Sequence, residues 1–107
     1  MADQPTYIER IALAIYRKSE RKAHTKRYPD DEAYLYLGYA VLALAKGEAT
    51  TSADVHDAWS AWAIGHYPFV HRSVVPFRLL TPEVQGYDDV YRDAIHMVAR
   101  EMRESAA

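Results

Sequence analysis

His56, Trp59 and Trp62 are the residues of this 107-residue chain whose types and spacing best suit a binding chemistry. Steps of three keep side chains together on one side of a helix. Two indole faces offer a stacking surface for a planar group, and an imidazole at its edge can donate a hydrogen bond. Further along, Arg72 and Arg78 flank the run Val74-Val75-Pro76-Phe77. Guanidinium groups there would meet a phosphate through charge-assisted hydrogen bonds. The same residues also fit a plain core, with Trp59, Trp62, Pro76 and Phe77 packed and His56 bonded to a nearby backbone carbonyl.

Other chemistries are poorly represented. The chain has no cysteine, which excludes a disulfide framework, a thiolate metal site and a cysteine nucleophile. The glycines at 38, 47, 65 and 86 are too scattered for a phosphate-binding loop. No Gly-x-Ser-x-Gly or His-Glu-x-x-His occurs. None of the five histidines forms an i, i+4 pair, and the spacing of His66 and His71 is not a familiar zinc spacing. The acidic pairs Asp30-Asp31 and Asp88-Asp89 read as helix starts. The expectation is a non-enzymatic protein with no metal and no cofactor.

Charge narrows the partners. The net charge of −2 argues against general nucleic-acid binding. The distribution is uneven: Arg17, Lys18, Arg21, Lys22, Lys26 and Arg27 are opposed only by Glu20 between residues 17 and 28. The patch of Arg17, Arg21, Lys22, Lys26 and Arg27 is the alternative anion site if the arginines near Pro76 do not serve; it also fits a solvated face. The longest uncharged helical run, Ala33 to Ala45, is 13 residues, short of the ~20 that cross a bilayer. Nothing in Met1 to Thr6 reads as a signal peptide. A cytoplasmic protein is expected.

These residues must be positioned by helices. Helix 1 is expected from Tyr7 to Lys22, with Thr6 and Glu9 at capping-box spacing and an apolar stripe of Ile8, Ile11, Ala12, Ile15 and Tyr16. Pro29 ends the connector, and Asp30 or Asp31 caps helix 2 over Glu32 to Lys46, stopped by Gly47. Helix 2 is apolar on nearly all sides, which makes it either the central helix or a face that meets another chain. With nine tyrosines in the chain, a homodimer is expected. Helix 3 opens at Thr50-Thr51-Ser52 and runs to Ile64, stopped at Gly65. Residues His66 to Leu80 are irregular, with Ser73 to Phe77 extended. Thr81-Pro82-Glu83 starts a helix, Gly86 interrupts it, and Asp88 restarts a last helix to Arg103. The fold expected is all-α: one domain over residues 1–107, a compact bundle of four to five helices with one extended Pro-containing loop. Residues 1–5 and 105–107 are expected to fray.

Val55-His56-Asp57-Ala58-Trp59, then Val74-Val75-Pro76-Phe77-x-x-Leu80, then Asp88-x-x-Tyr91-x-x-Ala94-Ile95 resembles the RyR domain. That family is repeated in ryanodine receptors and occurs in bacterial and phage proteins. The resemblance spans residues 54–98. The family's Gly-Trp-x-x-Gly element has no counterpart in the shorter gap from Ala63 to Phe69. The whole chain, with its helix pair ahead of Val55-His56-x-Ala58-Trp59-Ser60-Ala61-Trp62, is similar to small proteins of actinobacterial phages, which would place it in a host cytoplasm. The resemblance implies a binding module for a nucleotide-type ligand or a host protein, with His56, Trp59, Trp62, Arg72 and Arg78 as the site. The alternative is a structural or interaction protein that works through a helical, Tyr-rich surface.

Overall fold

Thr6 starts the first helix as its spacing to Glu9 requires. The Glu9 amide bonds Thr6 Oγ1 at 3.2 Å and the Thr6 amide bonds Glu9 Oε1 at 2.9 Å, so two otherwise unpaired donors are satisfied. The computed structural model describes residues 4–106 and contains four α-helices: α1 (Tyr7–Ser19), α2 (Ala33–Ala45), α3 (Ser52–His66) and α4 (Pro82–Ala106). Single 3-10 turns lie at Asp30–Glu32, Gly47–Ala49 and Phe77–Leu79. The chain is all-α, with no strand among the described residues. None of the described helices is long and apolar enough to cross a membrane.

Helices α2 and α4 form the central pair. Each packs against the other, and each packs against both α1 and α3. Helix α2 is central, as one of the two expectations had it, yet it is not covered on every side. Leu35, Tyr36, Tyr39, Ala40 and Ala43 are buried, while Tyr34, Val41 and Leu44 are exposed. The tyrosines mostly turn inward rather than forming a surface. Tyr16, Tyr28, Tyr36 and Tyr39 are buried and, with half-buried Tyr91, make one ring cluster in the core. Ile15, Val55, Ile95 and Val98 complete that core.

Several boundaries differ from the sequence expectation, each for a local reason. Helix α1 stops at Ser19 rather than Lys22. Arg21 turns left-handed at φ 54°, and the amides of Lys22 and Arg21 bond back to the carbonyls of Arg17 and Lys18 at 2.9 and 3.4 Å. That is the paired closure in which glycine is the usual residue. Neither Asp30 nor Asp31 caps α2; Asp30 pairs with Arg27 at 2.9 Å, and the turn Asp30–Glu32 leads directly into the helix. Helix α3 runs through Gly65 to His66. It ends because Pro68 holds Tyr67 in extended backbone, φ −86° and ψ 141°. Gly86 does not interrupt α4. A helical glycine costs about 1 kcal/mol, and the packing of Tyr91, Ala94, Ile95 and Val98 along one stripe outweighs it. The same helix continues past Arg103 to include Ser105 and Ala106; residues 1–3 and 107 lie outside the described residues. Between a turn at His71–Val74 and the 3-10 turn at Phe77–Leu79 the chain bends once, at Val75, and is extended at Pro76, φ −52° and ψ 140°, without forming a strand.

Gly47 is the glycine that the backbone requires, at φ 56°. A Cβ there would meet Ala99 Cβ at an ordinary 3.8 Å, so strain in φ is the only obstacle. Gly47→Ala is expected to lower unfolding free energy by about 1 kcal/mol in urea denaturation. An unchanged midpoint would mean that the turn relaxes freely.

Candidate functional site: an aromatic rim on the third helix and the loop after it

The phase of α3 is set at its start. Thr51 and Asp54 bond each other's backbone amides at 3.1 and 2.9 Å, and Lys46 Nζ lies 2.7 Å from Asp54 Oδ2. Those bonds hold the Asp54 carboxyl below its ordinary range, the Lys46 contact most strongly. With that phase, Val55 and Ala63 face the core and His56 faces the loop that follows the helix.

His56 is buried and joins three elements. Its Nε2 lies 2.7 Å from the Val75 carbonyl oxygen. A carbonyl only accepts, so Nε2 carries the proton and donates it. The Ser60 hydroxyl is 3.3 Å from the same nitrogen. On the other side of the ring, Nδ1 lies 3.8 Å from Asp88 Oδ2 of α4. Burial pushes the Asp88 carboxyl up to about 6; nearby His56 opposes that rise and Asp89 adds to it. A row of serine, histidine and aspartate suggests nucleophilic catalysis, but the Nε2 proton is committed to Val75. His56 therefore cannot take a proton from Ser60, and the row braces the loop.

A train of rings continues outward. Trp59 stacks on His56 at 5.7 Å and meets the edge of His71 at 5.1 Å. His71 Nδ1 accepts the Ser73 amide at 3.0 Å, which fixes the turn. Trp62 stacks on His66 at 4.2 Å and donates Nε1–H to the Asp31 carbonyl at 3.3 Å. Tyr67 bridges to His71 at 4.9 Å and to Phe69 at 5.4 Å. The rings hold an exposed apolar rim. Ile64, Phe69, Val70 and, from α2, Tyr34 are between 59% and 89% exposed. A notch of about 320 Å³ opens among Ile64, Tyr67, Phe69, Val70 and Val74. A second of about 340 Å³ opens between Tyr34, Ala61, Trp62 and His66.

The nominated residues divide. His56, Trp59 and Trp62 share one aromatic system, but His56 has spent its donor on the backbone. Arg72 and Arg78 are exposed on the loop and enter no ion pair among the described residues. Neither notch is lined by Trp59, Arg72 or Arg78. The basic patch is partly engaged: Arg17 Nε donates to the Thr25 carbonyl at 2.7 Å, Lys22 Nζ sits 5.9 Å from the Tyr16 ring centre, and Arg27 pairs with Asp30. Arg21 and Lys26 are exposed.

Sequence reasoning missed Asp88 as the partner of His56 and missed the exposed rim. Asp88 had a usable signal. It stands three and seven residues before Tyr91 and Ile95, on the buried stripe of α4, where a carboxylate needs a partner. The family described as DUF7701, a domain of unknown function, matches over residues 6–100. No curated protein and no solved structure matches the chain.

Proposed function

The chain belongs to the DUF7701 family, and from its surface we propose a non-catalytic interaction module that pairs with a second copy of itself through the rim on α3 and the following loop. One observation carries the reading: an apolar surface, with Asp31 and Arg72 at its edge, is held by His56, His71 and the ring train instead of being withdrawn into the core. A surface already ordered loses little entropy on binding. Tyr34, Ile64, Phe69 and Val70 together expose roughly 500 Å², near the upper end for a monomer and more than half of the ~800 Å² that each partner contributes to a standard interface. A two-fold pair brings a surface against itself, which the uncharged side chains of Tyr34, Ile64, Phe69 and Val70 suit.

Light scattering at tens of micromolar is expected to give twice the 12.2 kDa of one chain. Val70→Asp places a charge on an exposed position and is expected to return the mass to one chain with the melting temperature nearly unchanged. A wild-type mass of one chain would remove the self-pairing reading.

A second reading is favoured by unpaired Arg72 and Arg78 and by the RyR resemblance of residues 54–98: a phage-encoded, RyR-like module that binds a nucleotide-type anion or a host protein. Thermal shift against mono-, di- and cyclic nucleotides tests the anion. A ligand at 100 times its dissociation constant adds about 2.7 kcal/mol, and Arg72→Ala with Arg78→Ala is expected to abolish that shift.

A further inference from the structure

Away from the rim, a groove runs between the end of α1 and the middle of α4, around a cavity of about 530 Å³. Arg17, Lys18 and Arg21 form one wall, and Val90, Ala94 and Met97 form the floor. Val90 and Met97 are each about half exposed and stand on one face of α4, roughly 10 Å apart along its axis. Two of the acids nearby are already engaged, Asp93 of the groove lining among them; exposed Glu20, beside Arg21 in sequence, enters no ion pair among the described residues and does not line the groove. Glu101 pairs with Lys18 at 2.7 Å, and Asp93 pairs with Arg92 at 3.0 Å. The unneutralised charge of the groove is that of Arg17 and Arg21. The bond from Arg17 Nε to the Thr25 carbonyl orients that guanidinium and leaves its two terminal nitrogens for another acceptor.

The backbone adds an independent observation. Arg21 is the one non-glycine residue with positive φ among the described residues, at the position after α1 where glycine is relaxed and an L side chain is strained. Strain of this kind persists where the side chain is in use. Here that side chain is part of the cationic wall.

We infer that this groove is the docking site for an acidic amphipathic helix of a different protein. Carboxylates of the partner pair with Arg17 and Arg21, while apolar residues spaced by two turns lie on Val90 and Met97, the latter an adaptable contact. A second copy of this chain would bring the same cationic wall against it, so self-pairing does not suit this groove.

The test is fluorescence anisotropy of the full chain with a labelled synthetic helix carrying leucines at i, i+3 and i+7 and glutamates elsewhere. Binding is expected at low salt and should weaken as salt rises. Arg21→Gly is expected to move two readouts in opposite directions: affinity falls about tenfold, as for a lost charge-assisted bond, while the melting temperature rises. Met97→Glu is expected to weaken binding by a similar factor without unfolding the domain. The inference is overturned if the peptide does not bind, or if Arg21→Gly binds as well as wild type. It is equally overturned if a peptide of the same composition with dispersed leucines, or a single-stranded DNA of equal charge, binds as tightly, since the groove would then attract any polyanion.

Discussion

Tyr36→Ala is expected to lower the stability of this domain by about 3–5 kcal/mol. Tyr36 is among the largest fully buried side chains. Its ring meets Tyr16 edge-on at 5.0 Å, stacks on Tyr28 at 6.0 Å, and meets Tyr39 edge-on at 5.6 Å. Aromatic pairs each contribute about 0.5–1.5 kcal/mol beyond burial, and truncation removes four of them, the tilted contact with Tyr91 at 6.4 Å included, and leaves a cavity. In a domain of this size each kcal/mol moves the melting temperature by about 4–8 °C, so a fall of about 12 °C or more in circular dichroism is expected. Tyr36→Phe keeps the ring contacts and is expected to retain most of the stability. If the two variants melted alike, the hydroxyl rather than the ring packing would be the source. Trp59 has a weaker claim, because it is only partly buried.

Asp88→Asn is expected to leave stability unchanged near pH 4 and to raise it at pH 7, by up to about 3 kcal/mol. The Asp88 side chain is only 13% exposed, and its carboxyl is raised from an ordinary 3.8 to about 6. The folded state therefore holds the Asp88 proton more tightly than the unfolded state. The stabilisation that follows is complete below about pH 4 and is lost as pH rises through about 6. The raised value already includes the pull of His56, so the ionised Asp88 carboxylate is a net cost at neutral pH. Glu9, Glu48 and Asp54, whose carboxyls are lowered by their hydrogen bonds, act in the opposite direction as pH falls. The readout is therefore the difference between wild type and variant across urea titrations from pH 4 to pH 7. A variant less stable than wild type at pH 7 would show that the carboxylate is a net favourable partner for His56.

The parts of the fold that the sequence carried openly are those decided within a few residues. Thr6 with Glu9, the Thr51 start and the Thr81-Pro82 start are local hydrogen-bond and φ constraints, and all three hold. The apolar stripes of α1 and α4 were equally plain. Gly65 and Gly86 misled because a glycine permits a helix to end without compelling it. Pro68 supplied the compulsion in one case, and packing against three helices removed it in the other. The site was half legible. His56 and Trp59 were visible as a pair, but the bond to Val75 crosses 19 residues and the approach of Asp88 crosses 32, and nothing local encodes either. The ring cluster was hidden for the same reason: nine tyrosines read as surface until α1, α2, α4 and the connector that carries Tyr28 bring five of them together.

The first and last helices touch, and α4 supplies Ile95 and Val98 to the core that α1 and α2 begin. During synthesis, then, α1 and α2 emerge with their tyrosine rings uncovered and stay so until Tyr91 and Ile95 have left the ribosome. Local contacts let each helix form early, but closure waits for a segment more than 70 residues after the first. Until that point the nascent chain presents an open apolar face of the kind that chaperones engage.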